Sequence, residues 1–91
     1  MTITDILKKA KTEREKAFNQ VMELDTQTAA LKAKRAEILI NNDMDGNTPE
    51  LMKVNEKLHN LRRCRSVVNG QREKLDFMIQ YMETEGNTGS F

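Results

Sequence analysis

Several residue types are scarce in this 91-residue chain, and each scarcity excludes a class of structure. There is no tryptophan, one proline occurs, and aromatic residues make up only 4% of the chain, so we do not expect a β-rich fold. The one cysteine, Cys64, excludes an intrachain disulfide and gives no sign of an oxidising compartment. We therefore expect a small all-α protein located in the cytoplasm.

Long apolar runs are also missing. The N-terminal sequence MTITDILKKAKTEREKAF lacks the apolar core of a signal peptide, and no apolar run reaches the roughly 18 residues needed to cross a bilayer. Charged residues make up 32% of the chain, and alanine, leucine, lysine and glutamate are frequent, as in long helices and coiled coils. A chain of this length is one domain at most and buries little surface, so we expect oligomerisation.

Two heptad patterns of apolar residues predict two long helices that pack along one line, which we call the seam. The first pattern contains Leu7, Ala10, Arg14, Ala17, Val21, Leu24, Thr28, Leu31, Arg35 and Ile38. The second contains Leu51, Val54, Leu58, Leu61, Arg65, Val68, Arg72, Leu75, Ile79 and Met82. The prediction is a long antiparallel, coiled-coil-like helical hairpin over residues 1–84 that dimerises into a four-helix bundle.

The helix ends are predicted from turn and capping residues. The first helix is expected over residues 3–41, with Thr2 or Thr4 as its N-cap, and the turn over 42–48, with Gly46 in the left-handed conformation. Thr48 as N-cap and Pro49 at the first helical position open a second helix over 49–84. The polar, glycine-rich residues 85–91 are expected to form a flexible tail.

The second helix has an alternative interpretation. Asn69 and Gly70 form a dipeptide typical of turns, which would divide the helix in two. Against this, Val54, Leu61, Val68, Leu75 and Met82 keep strict sevenfold spacing through the glycine. A continuous helix therefore remains the main prediction.

Arginines occupy positions on this seam. In an antiparallel hairpin the numbers of facing residues sum to a constant, and setting Ile38 against Leu51 makes it 89. Arg65 then faces Leu24, and Arg72 faces Ala17, so no layer of the seam contains two charges. We expect each arginine stem to pack across the seam while its guanidinium reaches the rim.

A second apolar surface is expected outside the seam. Phe18 and Met22 lie four residues apart, and the same sum places Phe18 level with Gln71 and Met22 level with Val67. Contiguous exposed apolar patches usually mark an interface. We therefore predict an oligomer interface formed by Phe18, Met22, Cys64, Val67, Met78 and Tyr81.

Metal binding and catalysis find little support. The segment NNDMDGN resembles the first half of a calcium loop, but the position of the bidentate glutamate holds Met52. His59 and Cys64 lie five apart on one helix and so point to different faces. We predict no metal site, no cofactor, no small-molecule substrate and no enzymatic activity.

Basic residues concentrate in the second helix, where residues 57–75 carry six basic side chains and one acidic one. We predict a partner-binding basic belt of Lys57, Arg62, Arg63, Arg65 and Arg72. Its residues can form bidentate pairs with an acidic protein surface or contact nucleic-acid phosphates, although a solvated charged face is the more ordinary explanation.

The segments LDTQTAALKAKRAEIL and VVNGQREKLDFMI enclose an Asn/Asp/Gly-rich turn. In this overall pattern the chain resembles the short helical-hairpin proteins encoded by bacteriophages and other mobile elements. The resemblance implies an inhibitor, regulator or adaptor that acts by binding, and it carries over no functional residue.

Three functions therefore remain open. We expect a non-catalytic, homodimeric accessory factor that binds the acidic surface of another protein. The alternatives are a nucleic-acid-binding dimer that uses the basic belt and a structural or assembly subunit.

Overall fold

The computed structural model describes residues 2–88, and for residues 85–88 the backbone only. It contains two helices, α1 (Ile3–Asn41) and α2 (Pro49–Thr88), which confirms the predicted helical hairpin. The helix α2 extends four residues beyond its predicted end. The sequence ETEGNT contains no proline, and its glycine costs only about 1 kcal/mol relative to alanine in a helix. The rest of the predicted tail, residues 89–91, lies outside the described residues.

The helix α2 continues without a break through Asn69 and Gly70, so the alternative with a turn at this dipeptide is wrong. Nothing lies within 4 Å of where a Cβ of Gly70 would stand, so no neighbour requires a glycine there. The regular spacing of apolar residues around this position outweighs the local turn preference.

Both helices begin at a threonine that caps them. In α1, Thr2 and Asp5 form a reciprocal capping box: the Asp5 amide donates to Thr2 Oγ1 at 3.1 Å, and the Thr2 amide donates to Asp5 Oδ2 at 3.4 Å. In α2, the Leu51 amide donates to Thr48 Oγ1 at 3.3 Å, which confirms Thr48 as the N-cap.

The turn between the helices differs from its prediction. Gly46 does not adopt a positive φ; instead Asp43 and Met44 do, at 54° and 63°. The Met44 amide donates to the carbonyl of Leu39 at 2.7 Å, the six-to-one bond of a Schellman motif. The helix therefore ends at a left-handed aspartate, which tolerates this conformation better than most residues, and Gly46 is not needed to reverse the chain.

The chain forms two compact units, and each contains a segment of both helices. The turn unit is Met22–Ser66. The terminal unit comprises the described residues of Met1–Val21 and Val67–Phe91.

The core of the turn unit is one apolar cluster. Its buried members are Ile38, Leu51, Val54 and Leu58, and Leu31 and Leu39 pack against them. The cluster contains both members of two predicted layers, Ile38 with Leu51 and Leu31 with Leu58. The predicted register is therefore confirmed at this end of the seam.

The terminal unit has a thinner core. Ala10, Ala17, Val21 and Ile79 are buried, and Ile79 is only 1% exposed. Leu7, Leu75 and Met82 are half-buried beside them. Because alanine fills little space, long side chains from α2 supply most of the apolar volume in this unit.

The seam prediction holds for nineteen of the twenty positions, which are buried or half-buried, and the exception is Arg65. Arg65 was expected to lie over Leu24, but it is exposed because its guanidinium pairs with Asp25 at the edge of the seam. Arg14, Arg35 and Arg72 are half-buried.

We expect Leu58→Ala to lower the free energy of unfolding by about 2–5 kcal/mol, since this leucine is buried among apolar residues. Met52→Ala on the same helix is the control, because Met52 is 63% exposed and its truncation leaves no cavity. Urea unfolding followed by circular dichroism at fixed protein concentration measures both. Equal losses in the two variants would contradict the assigned core.

We expect Met44→Gly to raise the free energy of unfolding by about 1 kcal/mol, because glycine adopts a left-handed conformation without steric cost. Met52→Gly replaces another exposed methionine, but inside a helix, and should lower stability by about 1 kcal/mol. Opposite signs in thermal and urea unfolding are the expected result. A loss in both variants would show that Met44 is not strained.

Candidate functional site

A cleft in the turn unit brings two residues of the predicted basic belt together with two further cations. Its volume is about 430 Å³. We call it the cationic cleft, and it is lined by Asp25, Thr28, Lys32, Arg35, Leu58, Arg62 and Arg65. Four cations and one carboxylate thus share a single depression on the surface.

The carboxylate of Asp25 fixes one of these cations. Arg65 Nε donates to Asp25 Oδ1 at 2.6 Å, and Arg65 Nη2 donates to Asp25 Oδ2 at 3.5 Å. This two-point arrangement orients the guanidinium plane. The hydrogen bond and the negative charge of Asp25 raise the pKa of Arg65 above its ordinary value. The guanidinium of Arg65 therefore stays protonated at any physiological pH.

The other three cations of the cleft, Lys32, Arg35 and Arg62, make no ion pair or side-chain hydrogen bond to residues 2–84, whose side chains the structure describes. Lys32 and Arg62 are exposed, whereas Arg35 is half-buried. Like charges that share a cleft next to low-dielectric protein raise the local potential and attract anions. The cleft is therefore suited to an anionic group that makes several contacts at once.

The cleft follows from where these residues stand relative to the seam. Thr28, Arg35 and Leu58 are seam positions, and their burial forms the floor. Asp25 and Lys32 are seven residues apart on one edge of α1, so they lie on the same face. Arg62 flanks the seam from α2.

The remaining belt residues lie elsewhere. Lys57 lines a different cleft of the turn unit, of about 450 Å³, with Gln27, Ala30, Leu31, Asn60 and Leu61. Arg63 is exposed and follows Arg62 directly, so it points about 100° away around the helix. Arg72 belongs to the terminal unit, where it bonds to Asn69 and Asp76. Of the five belt residues, only Arg62 and Arg65 therefore line the cationic cleft.

Sequence reasoning missed Asp25, Lys32 and Arg35 as members of a site. A signal was available, because the sum rule that pairs seam residues also relates the charged residues beside the seam. Asp25 and Arg65 sum to one more than the seam constant, so their contact could have been found. The prediction instead took the residues of the belt from the second helix alone.

The six residues of the predicted oligomer interface are all exposed. Met22 and Cys64 belong to the turn unit, and the other four to the terminal unit. Phe18 lines a cleft with Arg72 and Asp76, whereas Gln71 lines another with Asn19 and Gln20. The continuity of the stripe from Phe18 to the second helix stays a prediction.

Among residues 2–84, no group of three or more histidine, cysteine or acidic side chains is placed to hold a metal ion. Both His59 and Cys64 are exposed. Neither α1 nor α2 includes a stretch apolar enough to cross a lipid bilayer.

Comparison with known proteins assigns the chain to no family. No model of a known protein family matches the sequence, and searches of curated proteins and of solved structures find no similar protein. The function is therefore inferred from the charged and apolar side chains of the two units.

Proposed function

We propose that this protein is a non-catalytic accessory factor that binds an acidic surface of another protein through the cationic cleft. The observation that carries the proposal is a group of three cations around the oriented Arg65, namely Lys32, Arg35 and Arg62, which have no partner among the side chains that the structure describes. The resemblance of the sequence to small phage-encoded helical hairpins supports the same class of role, that of an inhibitor, regulator or adaptor.

The cleft suits protein carboxylates for a geometric reason. Lys32 and Arg35 are three residues apart on α1, which is a rise of about 4.5 Å along the helix axis. Carboxylates three or four residues apart on a partner helix repeat at the same distance. Leu58 on the floor of the cleft offers an apolar contact between such pairs. An acidic helix with a small apolar face is therefore the partner surface that fits best.

Nucleic acid is the second candidate, because the same unpaired cations can contact phosphates. None of the residues that line the cleft is aromatic, so it lacks the stacking surface that single-strand binders use. This absence ranks nucleic acid below an acidic protein.

We also propose that the protein forms a homodimer, organised as a four-helix bundle. Val67, Met78 and Tyr81 recur on one face of α2 in the terminal unit and are 63%, 39% and 60% exposed. Apolar side chains repeated at heptad spacing on an exposed helix face favour helix association. If the protein is instead a structural or assembly subunit, it would associate through this face, and the cationic cleft would need no partner.

We expect Arg62→Glu to weaken binding of a Glu-rich helical peptide, with glutamates four residues apart, by at least about tenfold. Reversing one charge in the cleft replaces an attraction of the order of 1.5–3 kcal/mol with repulsion. Arg63→Glu is the matched control, since it makes the same change one residue away and outside the cleft. Fluorescence anisotropy with the labelled peptide measures both affinities.

A third variant tests the same cleft by gain of affinity. Asp25→Asn removes the only carboxylate of the cleft and should tighten peptide binding several-fold. Equal losses for Arg62→Glu and Arg63→Glu would contradict the cleft in favour of diffuse charge. Binding to duplex DNA that is tighter than to the peptide, and that falls with salt at a slope of roughly −0.9 per phosphate, would favour nucleic acid.

We expect the parent protein to be a dimer in size-exclusion chromatography with light scattering. Val67→Glu combined with Tyr81→Glu should shift it to monomer, because each buries a charge in the proposed interface. Gln80→Glu is the control on the same helix, since Gln80 is exposed and lies at least about 100° around the helix from Val67, Met78 and Tyr81. A parent protein that is monomeric at micromolar concentration would contradict the proposed homodimer.

A further inference from the structure

The terminal unit contains a second cleft whose chemistry differs from that of the cationic cleft. Its volume is about 490 Å³, within the range of ligand sites. Its lining combines the aromatic ring of Phe18 with the guanidinium groups of Arg14 and Arg72 and the carboxylate of Asp76. We call it the terminal cleft.

Asp76 holds both arginines at once. Arg14 Nη1 donates to Asp76 Oδ1 at 3.4 Å, and Arg72 Nη1 donates to Asp76 Oδ2 at 3.1 Å. Arg72 Nε also donates to Asn69 Oδ1 at 3.1 Å. The two guanidinium groups come from different helices and are both half-buried, so one carboxylate organises them as a pair.

Each of these arginines keeps unused donors. A guanidinium has five N–H groups, and the contacts to Asp76 and Asn69 engage one in Arg14 and two in Arg72. No other hydrogen bond links either guanidinium to the described residues. The pair also keeps one net positive charge, because a single carboxylate opposes two cations. The two guanidinium groups can therefore bind one further carboxylate.

The apolar part of the terminal cleft is Phe18, which is 50% exposed. An exposed ring beside two guanidinium groups can contact another ring while the arginines receive a carboxylate. Lys8, Lys11 and Glu15 also line the cleft; Lys11 pairs with Glu83 at 3.0 Å, so Lys8 and Glu15 add one charge of each sign to the arginine pair. The lining therefore favours a ligand with one carboxylate close to one ring.

We propose that the terminal cleft binds a peptide segment in which an aromatic side chain adjoins a carboxylate. The carboxylate bonds to the free N–H groups of Arg14 and Arg72, and the ring packs on Phe18. This site shares no residue with the cationic cleft, so binding at the terminal cleft can be tested independently of the proposed function.

The test is an NMR titration of the full-length protein with four small probes. The acetylated and amidated dipeptide Phe-Asp carries both a ring and a carboxylate, whereas Phe-Asn lacks the charge and Ala-Asp lacks the ring. N-acetylphenylalanine presents a chain-terminal carboxylate instead. We expect Phe-Asp to bind with a Kd of about 1 mM and to shift the Nε–H signals of Arg14 and Arg72. Phe-Asn and Ala-Asp should bind at least about tenfold more weakly.

Variants link the signal to the cleft. Phe18→Ala should abolish the advantage of Phe-Asp over Ala-Asp, whereas Phe77→Ala, which alters an exposed ring outside the cleft, should preserve it. Arg14→Lys keeps the charge but removes the planar fork, and should weaken binding several-fold. Arg62→Glu, which disables the cationic cleft, should leave this titration unchanged.

The relative affinities of the other probes test the proposed ligand chemistry. Tighter binding of N-acetylphenylalanine than of Phe-Asp would support the cleft and assign the carboxylate to a chain terminus or free acid. Equal binding of Ala-Asp and Phe-Asp would overturn the proposal, because it would show a general anion site. Equal binding of Phe-Asn would overturn it too, since the arginines would then contribute nothing.

Discussion

The structure depends on the fact that two helices can meet along only one line. A single seam buries one side chain per layer from each helix, so every position beside the seam stays in contact with water. The buried residues of both units are consequently aliphatic and few, such as Ile38 and Leu58 in one and Ile79 in the other. The cleft in each unit follows from the same constraint, because no third helix in residues 2–88 covers it. Binding chemistry is available wherever charged residues border the seam.

Arginines in the seam behave according to the nearest carboxylate. Arg65 leaves the seam for Asp25 at its edge, while Arg14 and Arg72 stay half-buried because Asp76 lies beside them. The exposed Arg65–Asp25 pair contributes little to stability, as surface pairs generally do. Its effect is instead to fix a guanidinium within the cationic cleft, whereas Asp76 fixes two guanidinium groups in the terminal cleft. In both units an acidic residue determines which arginine donors remain free for a partner.

Much of the fold could be predicted from heptad spacing, because burial along a seam repeats with the helix. Thr48, Pro49 and the layer of Ile38 with Leu51 illustrate this, since each depends on local or periodic signals. The end of α1 could not be predicted in the same way, because Gly46 carried the stronger turn propensity while the Schellman bond of Met44 determined the conformation. The cleft was only half predictable. Arg62 and Arg65 stood out as a cluster in sequence, but Lys32 and Arg35 joined them only through the pairing of the helices.

The turn has a consequence for how this hairpin can vary. Gly46 has no positive φ, and nothing lies within 4 Å of where its Cβ would stand. The reversal of the chain is complete by Met44, and Thr48 starts the next helix independently. Between them Asp45 holds the turn, since its amide donates to the Asn42 carbonyl and its carboxylate accepts from the Asn47 amide, each at 2.9 Å. Gly46 is therefore the position of the turn where a side chain that carries an epitope or a reporter group can be added without touching the packed layer.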